Sequence, residues 1–259
     1  MINSDNIRIS VAIARSGVAS RRGAETLVRE RRVTVDGQVT TDLSLRVNPR
    51  TQEITLDGRP LPESEPLRHY ALNKPRGVLS SARDDRGRRT VIDLLPSDSP
   101  RCVPVGRLDL DSEGLILLTN DGPLVTGLLH PSREVPRVYL AEVIGTPTDT
   151  ELDRIFNGVD DDGELLQATP ARSRRAGRRF RDRRTTSWMT LTLHTGRKRE
   201  VRRLCDAIGH PVVTLRRVRF GPLLLQDLPE GVVRPLSRRE IRLLRRAAGL
   251  VDDSAEAER

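Results

Sequence analysis

The sequence predicts an α+β protein of two domains, a small N-terminal α/β module and a larger domain built on a largely antiparallel sheet flanked by helices. Three observations predict it. The chain has 259 residues, more than one small core needs. A proline cluster, Pro60, Pro62 and Pro66, separates two stretches of regular patterning. In the second stretch strand signals follow one another mainly across turns, which favours antiparallel pairing over a βαβ array. The expected boundaries are 1–62 for the module, 63–67 for a linker, 68–249 for the larger domain and 250–259 for a disordered acidic tail.

In the module, Ile7, Val11 and Ala14 recur at helical spacing and stop at Gly17. Ser20 is placed to cap a second helix over 21–32, whose Ala24, Leu27 and Val28 form an apolar stripe. Arg21, Arg22, Arg29 and Arg32 lie mostly off that stripe. Val33-Thr34-Val35 before Asp36-Gly37, and Ile54-Thr55-Leu56 before Asp57-Gly58, read as short strands closed by turns. Two short helices with basic faces on a small sheet would make an RNA clamp.

In the larger domain, His69 to Asn73 reads as a strand stopped by Lys74-Pro75. Leu115 to Thr119 is a continuous apolar run of buried-strand type, closed by the turn Asn120-Asp121-Gly122. Val135 to Ile144, Ser187 to His194 and Val212 to Phe220 alternate as strands. A helix carries Val201, Leu204, Cys205 and Ile208 on one face and ends at Gly209. Ser237 and Glu240 form a capping box for a last helix ending near Gly249. Residues 172–184 suggest an arginine-laden hairpin or loop.

Charge narrows the class of partner. The net charge is +9, and every basic residue except Lys74 and Lys198 is arginine. Arginine's planar fork matches phosphate oxygens, although an arginine-rich genome would produce the same bias. Distribution is harder to dismiss, because residues 172–203 alone sum to +11. A polyanion is the simplest partner. Aromatic residues are only 2%, which argues against broad base-stacking platforms. No apolar run reaches membrane-spanning length, and no signal peptide or cysteine metal spacing is visible, so a cytosolic, metal-free protein is expected.

Familiar catalytic signatures are absent: no Gly-rich phosphate loop, no zinc helix, no cysteine–histidine pair. His130 and His210 each precede a proline and read as structural. What remains is the carboxylate-rich loop from Arg107 to Glu113, where Asp109, Asp111 and Glu113 alternate just before the apolar run. The residues alone leave two readings open, a solvated loop or a carboxylate held in a cleft.

The segment Val105-Gly106-Arg107-Leu108-Asp109-Leu110-Asp111-Ser112-Glu113-Gly114-Leu115-Ile116-Leu117-Leu118-Thr119-Asn120-Asp121-Gly122 resembles the signature of the RsuA-type pseudouridine synthases. So do Leu72-Asn73-Lys74-Pro75 with Gly77, His130-Pro131-Ser132 with Glu134 and Tyr139, and Gly196-Arg197-Lys198-Arg199-Glu200-Val201-Arg202-Arg203-Leu204. Gly17 to Arg22 and Val33 to Gly37 resemble the ribosomal protein S4-like RNA-binding domain. The resemblance covers nearly all of the chain except the basic loop and the tail. It implies isomerisation of uridine in ribosomal RNA, in the large subunit rather than the small. Asp109 would be the essential carboxylate, Tyr139 the active-site tyrosine packing on the base, and Arg202 the cation paired with Asp109. A carboxylate suits the chemistry, because the sugar carbon becomes electron-poor when the N-glycosidic bond breaks. The target base must first leave its stack.

RNA contacts are expected from Arg107, Lys74, Arg197, Lys198, Arg199 and Arg203 around the cleft, and from Arg21, Arg22, Arg29 and Arg32 on the module. The expected partner is ribosomal RNA or a pre-ribosomal particle; no cofactor, metal or membrane is expected, and the protein is expected to act as a cytoplasmic monomer. Lys198 and Glu200 stand where the family commonly has Asn and Gln, Arg137 where it has Lys, and Arg31 where it has Gly. Competing readings are a small-subunit enzyme, a non-catalytic ribosome-assembly protein and, more weakly, a carboxylate-pair glycosidase.

Overall fold

The computed structural model describes residues 6–172, 177–178 and 185–250. Apart from the backbone of Arg172 and residues Gly177 and Arg178, the expected basic hairpin over 172–184 lies outside the described residues, as does the expected tail from Val251. The chain forms two compact units, residues 1–67 and 68–259.

The first unit runs β1 (Ile7–Arg8), α1 (Ile9–Arg15), α2 (Arg21–Arg29), β2 (Val33–Val35), β3 (Gln38–Val39), β4 (Arg46–Val47), β5 (Ile54–Leu56) and β6 (Arg59–Pro60). Its four-stranded sheet has the order β3-β2-β5-β6, all antiparallel, and β1 pairs with β4. Ile9, Ile13, Ala24, Val28, Val33 and Val47 make a closed core. The hydroxyl of Ser20 accepts the Gly23 N–H at 3.0 Å and so starts α2, as its cap position requires. α2 stops three residues short of the expected Arg32. Arg31 adopts φ +60°, its N–H bonds the Val28 carbonyl, and the Arg32 N–H bonds that of Leu27. This pair of bonds closes the last turn in the manner of a left-handed helix stop.

The second unit contains β7 (His69–Lys74), β8 (Val103–Pro104), β9 (Glu113–Thr119), α3 (Gly122–Leu129), β10 (Arg137–Ile144), α4 (Asp149–Asn157), β11 (Val159–Asp161), β12 (Glu164–Leu166), β13 (Thr169–Arg172), β14 (Thr186–Leu193), α5 (Glu200–Ala207), β15 (Val212–Phe220), β16 (Leu223–Leu224), β17 (Val233–Pro235) and α6 (Arg238–Ala247). The main path of the sheet is β13-β14-β10-β15-β9-β7-β17. Every pairing along it is antiparallel except β15 with β9, which is parallel. The fold is the expected α+β arrangement, with one parallel joint at its centre.

β9 is buried along its whole length because both of its faces are covered. Leu115 and Leu117 pack with Leu124 and Leu128 of α3 and Leu244 of α6. Ile116 and Leu118 pack with Tyr70, Leu72 and Val91 on the other face. This explains the unbroken apolar run, and each of these side chains is worth roughly 1.5–3 kcal/mol relative to exposure. In the other half of the sheet, Ala141, Val143, Met189 and Leu191 pack under Leu152 and Ile155 of α4 and Leu204 and Cys205 of α5. Among the described residues no helix is long and apolar enough to cross a membrane.

Candidate active site

β9 is preceded by the loop that carries Asp109, and buried polar groups stitch this loop to the chain after β7. The Lys74 side chain is fully buried, and its Nζ donates to the carbonyl oxygens of Pro75, Asp109 and Ser112 at 3.0, 3.2 and 2.7 Å. The Gly77 N–H donates to the Leu110 carbonyl at 2.8 Å. The Ser80 hydroxyl donates to the Leu108 carbonyl (2.8 Å) and accepts the Leu108 N–H (3.0 Å). Burial lowers the Lys74 pKa to about 8, against the opposing pull of Asp111, Asp109 and Glu113. With a carbonyl partner for each of its three N–H donors and no place in the cleft wall, Lys74 organises the loop from within and has no donor left for RNA. This corrects the expectation that it contacts the substrate.

The loop borders a cleft of about 710 Å³. On this side lie Gly106, Arg107, Leu108, Asp109 and Ser112, with Asp109 half-buried and Arg107 exposed. Facing it are Tyr139 and Arg137 of β10, the turn from His194 to Gly196, residues 197–201, and Arg217 of β15, and the segment with His130 and Glu134 also borders the cleft. Tyr139 and Arg217 are direct partners across the antiparallel β10–β15 pair, which puts both on one face of the sheet. The Arg137 Nη1 donates to the carbonyls of Thr195 (2.6 Å) and His194 (3.2 Å). Glu200, buried at the start of α5, accepts from the Thr195 hydroxyl and from the Arg197 N–H, so it shapes the turn.

Arg202 is buried on α5, and its ion pair goes to Asp111, Nη2 to Oδ2 at 3.0 Å. It donates further to the carbonyls of Asp111 (3.2 Å) and Val212 (3.3 Å). Arg199, left-handed at φ +52°, reaches the other oxygen of Asp111 at 3.6 Å. No direct ion pair joins Arg202 to Asp109 among the described residues; Asp109 acts on it only through its charge. Burial lowers the Arg202 pKa, while Asp111 and, less strongly, Asp109 raise it. The expected Asp109–Arg202 pair is thus redirected: the loop turns the carboxylate two residues on toward α5.

Among the other expected contacts, Arg107 and Lys198 are exposed at the cleft. Arg197 also borders it, although its guanidinium reaches Glu164 at 3.2 Å. Arg203 does not border the cleft and pairs with Asp161 and Glu164. In the first unit Arg21, Arg22 and Arg29 are exposed. Arg32 is exposed as well and grips Asp57 in a two-pronged pair (2.9 and 2.6 Å). His210 donates or accepts only within the fold, at the Ile144 carbonyl (2.6 Å) and Glu151 (3.2 Å). No group of three or more potential metal ligands occurs among the described residues.

Reading by residue type missed Arg217, Arg137 and Glu200 as components of the cleft. The signal for Arg217 was its place two residues after Leu215 in an alternating strand.

Residues 68–207 match the family model described as RNA pseudouridylate synthase, and residues 7–52 match the S4 domain. The chain is 40% identical to the ribosomal large subunit pseudouridine synthase B of Bacillus subtilis, over 93% of this chain and 96% of that protein. It is 41% identical to an RNA pseudouridine synthase of Mycobacterium leprae, over 94% of each. A solved structure titled as a pseudouridylate synthase superimposes with a TM-score of 0.62 at 26% identity, covering 92% of this chain and 99% of that one.

Proposed function

Because the chain belongs to the RNA pseudouridylate synthase family, we propose that it isomerises uridine to pseudouridine at a defined site in large-subunit ribosomal RNA, with Asp109 as the catalytic carboxylate. The observation that carries this reading is a half-buried Asp109 facing a cleft whose other wall holds Tyr139 and a set of arginines. Preference for the large subunit rests on the name borne by the Bacillus subtilis relative, which spans the same length.

In this reading the target uridine leaves its stack and fills the cleft, a cost repaid by contacts to the base and to flanking phosphates. The glycosidic bond from C1′ to N1 breaks with its electron pair on uracil, and the Asp109 carboxylate faces the electron-poor sugar. Tyr139 packs on the base. The uracil turns, its C5 bonds to C1′, the C5 proton leaves, and N1 takes up a proton in exchange. Nothing is gained or lost overall, so the reaction needs no donor or oxidant. Exposed Arg107 and Lys198 are placed to meet phosphate, and Arg21, Arg22 and Arg29 of the first unit supply a second basic surface. The protein works as a cytoplasmic monomer on ribosomal RNA or a pre-ribosomal particle.

The test is Asp109→Asn, with pseudouridine mapped by carbodiimide labelling and primer extension on ribosomal RNA from a deletion strain carrying either version. Wild type should restore one modification and the variant none. Modification by the variant would remove Asp109 from the chemistry, and a wild type that modifies nothing would leave an RNA-binding assembly role.

A further inference from the structure

Arg217 is among the largest fully buried side chains, 1% exposed, yet it borders the cleft. Its Nε donates to the Leu115 carbonyl at 2.7 Å, and its guanidinium lies 5.1 Å from the Phe220 ring centre. Its Nη2 is buried without any hydrogen-bond partner. Among the described residues no carboxylate forms an ion pair with it. A buried cation of this kind is costly to keep, and folds rarely retain one without compensation.

Its position is tightly held. On one side the β10–β15 register sets it against Tyr139, and on the other the parallel joint sets it against Gly114 of β9, five residues after Asp109. A side chain at Gly114 would collide with the Arg217 carbonyl oxygen, at 2.3 Å from the added carbon. The backbone of Arg217 is thus held between β10 and β9. Its charge also adds to the fields that lower the pKa values of Lys74 and Arg137.

We propose that Arg217 is a further catalytic residue, donating from its free guanidinium edge to a carbonyl oxygen of the detached uracil. The proposal rests on the reading of the cleft given above. When the C1′–N1 bond breaks, the electron pair left on N1 spreads onto the uracil carbonyl oxygens, and the base becomes an anion. A fixed cation in a nearly water-free wall stabilises that charge as it develops, because no solvent needs to reorganise. Arg217 gains a partner only at that stage, which is the condition for lowering the barrier more than the ground state.

The experiment compares wild type, Arg217→Met and Arg217→Lys on large-subunit ribosomal RNA transcripts made with uridine or with 5-fluorouridine. Single-turnover consumption of the target nucleoside is followed by chromatography after digestion. Fluorine withdraws electrons and makes uracil a better leaving group, so it replaces part of what the cation supplies. Arg217→Met should be on the order of 100- to 1000-fold slower on uridine RNA, with RNA affinity within about threefold of wild type. Its defect should shrink at least roughly tenfold on 5-fluorouridine RNA, with Arg217→Lys intermediate. An equal defect on both RNAs would assign Arg217 a structural role and overturn the proposal, as would a variant within about threefold of wild type on uridine. If the Met variant does not fold, the Lys variant decides by the same comparison. A wild type that converts neither RNA would overturn the proposed function, and this inference with it.

Discussion

The Nη2 atom of Arg202 lies 3.0 Å from the Oδ2 atom of Asp111, with the Arg202 side chain 9% and the Asp111 side chain 39% exposed. The buried partner depends on the more exposed one, since the Arg202 Nε has no hydrogen bond of its own. Asp111→Asn is therefore expected to lower stability by about 1–2 kcal/mol, a value reduced for the solvent around Asp111. Turnover should fall on the order of 10- to 100-fold with little change in RNA affinity, because α5 loses its tie to the Asp109 loop. Chemical denaturation and single-turnover rates on one preparation check both.

Lys74 supports a second prediction. Its three carbonyl partners are all backbone atoms around the Asp109 loop. Lys74→Met leaves three acceptors without their donor and should reduce turnover by at least about 30-fold, with circular dichroism still showing a folded chain.

The same residue predicts a pH effect of definite sign. The folded-state pKa of Lys74 is about 8, below its ordinary value of 10.5. Below pH 8 both folded and unfolded chains hold the proton, and the burial penalty is fully present. Between these two values the unfolded chain binds more protons, so the contribution of Lys74 to stability rises with pH, by up to roughly 3 kcal/mol. Denaturant midpoints measured from pH 7 to 10.5 should show this rise in wild type and lack it in Lys74→Met.

Gly114 is expected to tolerate no side chain. Its φ is +107°, and an added carbon would meet the Arg217 carbonyl oxygen at 2.3 Å and its nitrogen at 2.7 Å. Backbone on both sides leaves nothing flexible to move. Gly114→Ala should cost about 3 kcal/mol or more and reduce soluble yield. A variant with an unchanged denaturation midpoint would contradict this account of the β9–β15 joint.

Arg31 offers the opposite case. It occupies the left-handed position after α2, at φ +60°, where the family commonly has glycine. Arg31→Gly is expected to raise stability by about 0.5–1 kcal/mol, since relief of strain exceeds the entropy lost by glycine. A thermal melt compared with wild type checks the sign.

Much of the fold was legible because its strongest signals are local. Ser20 and the Ser237–Glu240 box start helices by bonding their own first turns, and the run from Leu115 to Leu118 reports a strand covered on both faces. Two helices were not read. Asn120-Asp121-Gly122 looks like a turn, yet Asp121 accepts the Leu124 N–H at 3.1 Å and opens α3, with Pro123 in its first turn. The box of Thr148 and Glu151 that opens α4 was present in the sequence as well, but the polar residues around it masked its short apolar face.

The site was legible in its parts and not in its pairings. Asp109 and Asp111 are two residues apart in an irregular loop, and no periodicity says which will face α5. Lys74 looked like a surface cation beside a proline, and only the packing of β7 under the loop turns its amine inward. Likewise Arg216 and Arg217 are adjacent; the parallel joint sends the first to Glu113 (2.7 Å) and the second into the cleft wall.

That joint also bears on when the cleft comes into being. Glu113 and Arg216, which meet at the joint, are separated by 103 residues. Closing so long a span is entropically slow compared with closing a hairpin. During synthesis the loop with Asp109 emerges long before Arg202 and Arg217 do. The two sides of the cleft therefore meet only once β15 has been synthesised, and a nascent chain that has released the Asp109 loop alone does not yet hold the cleft.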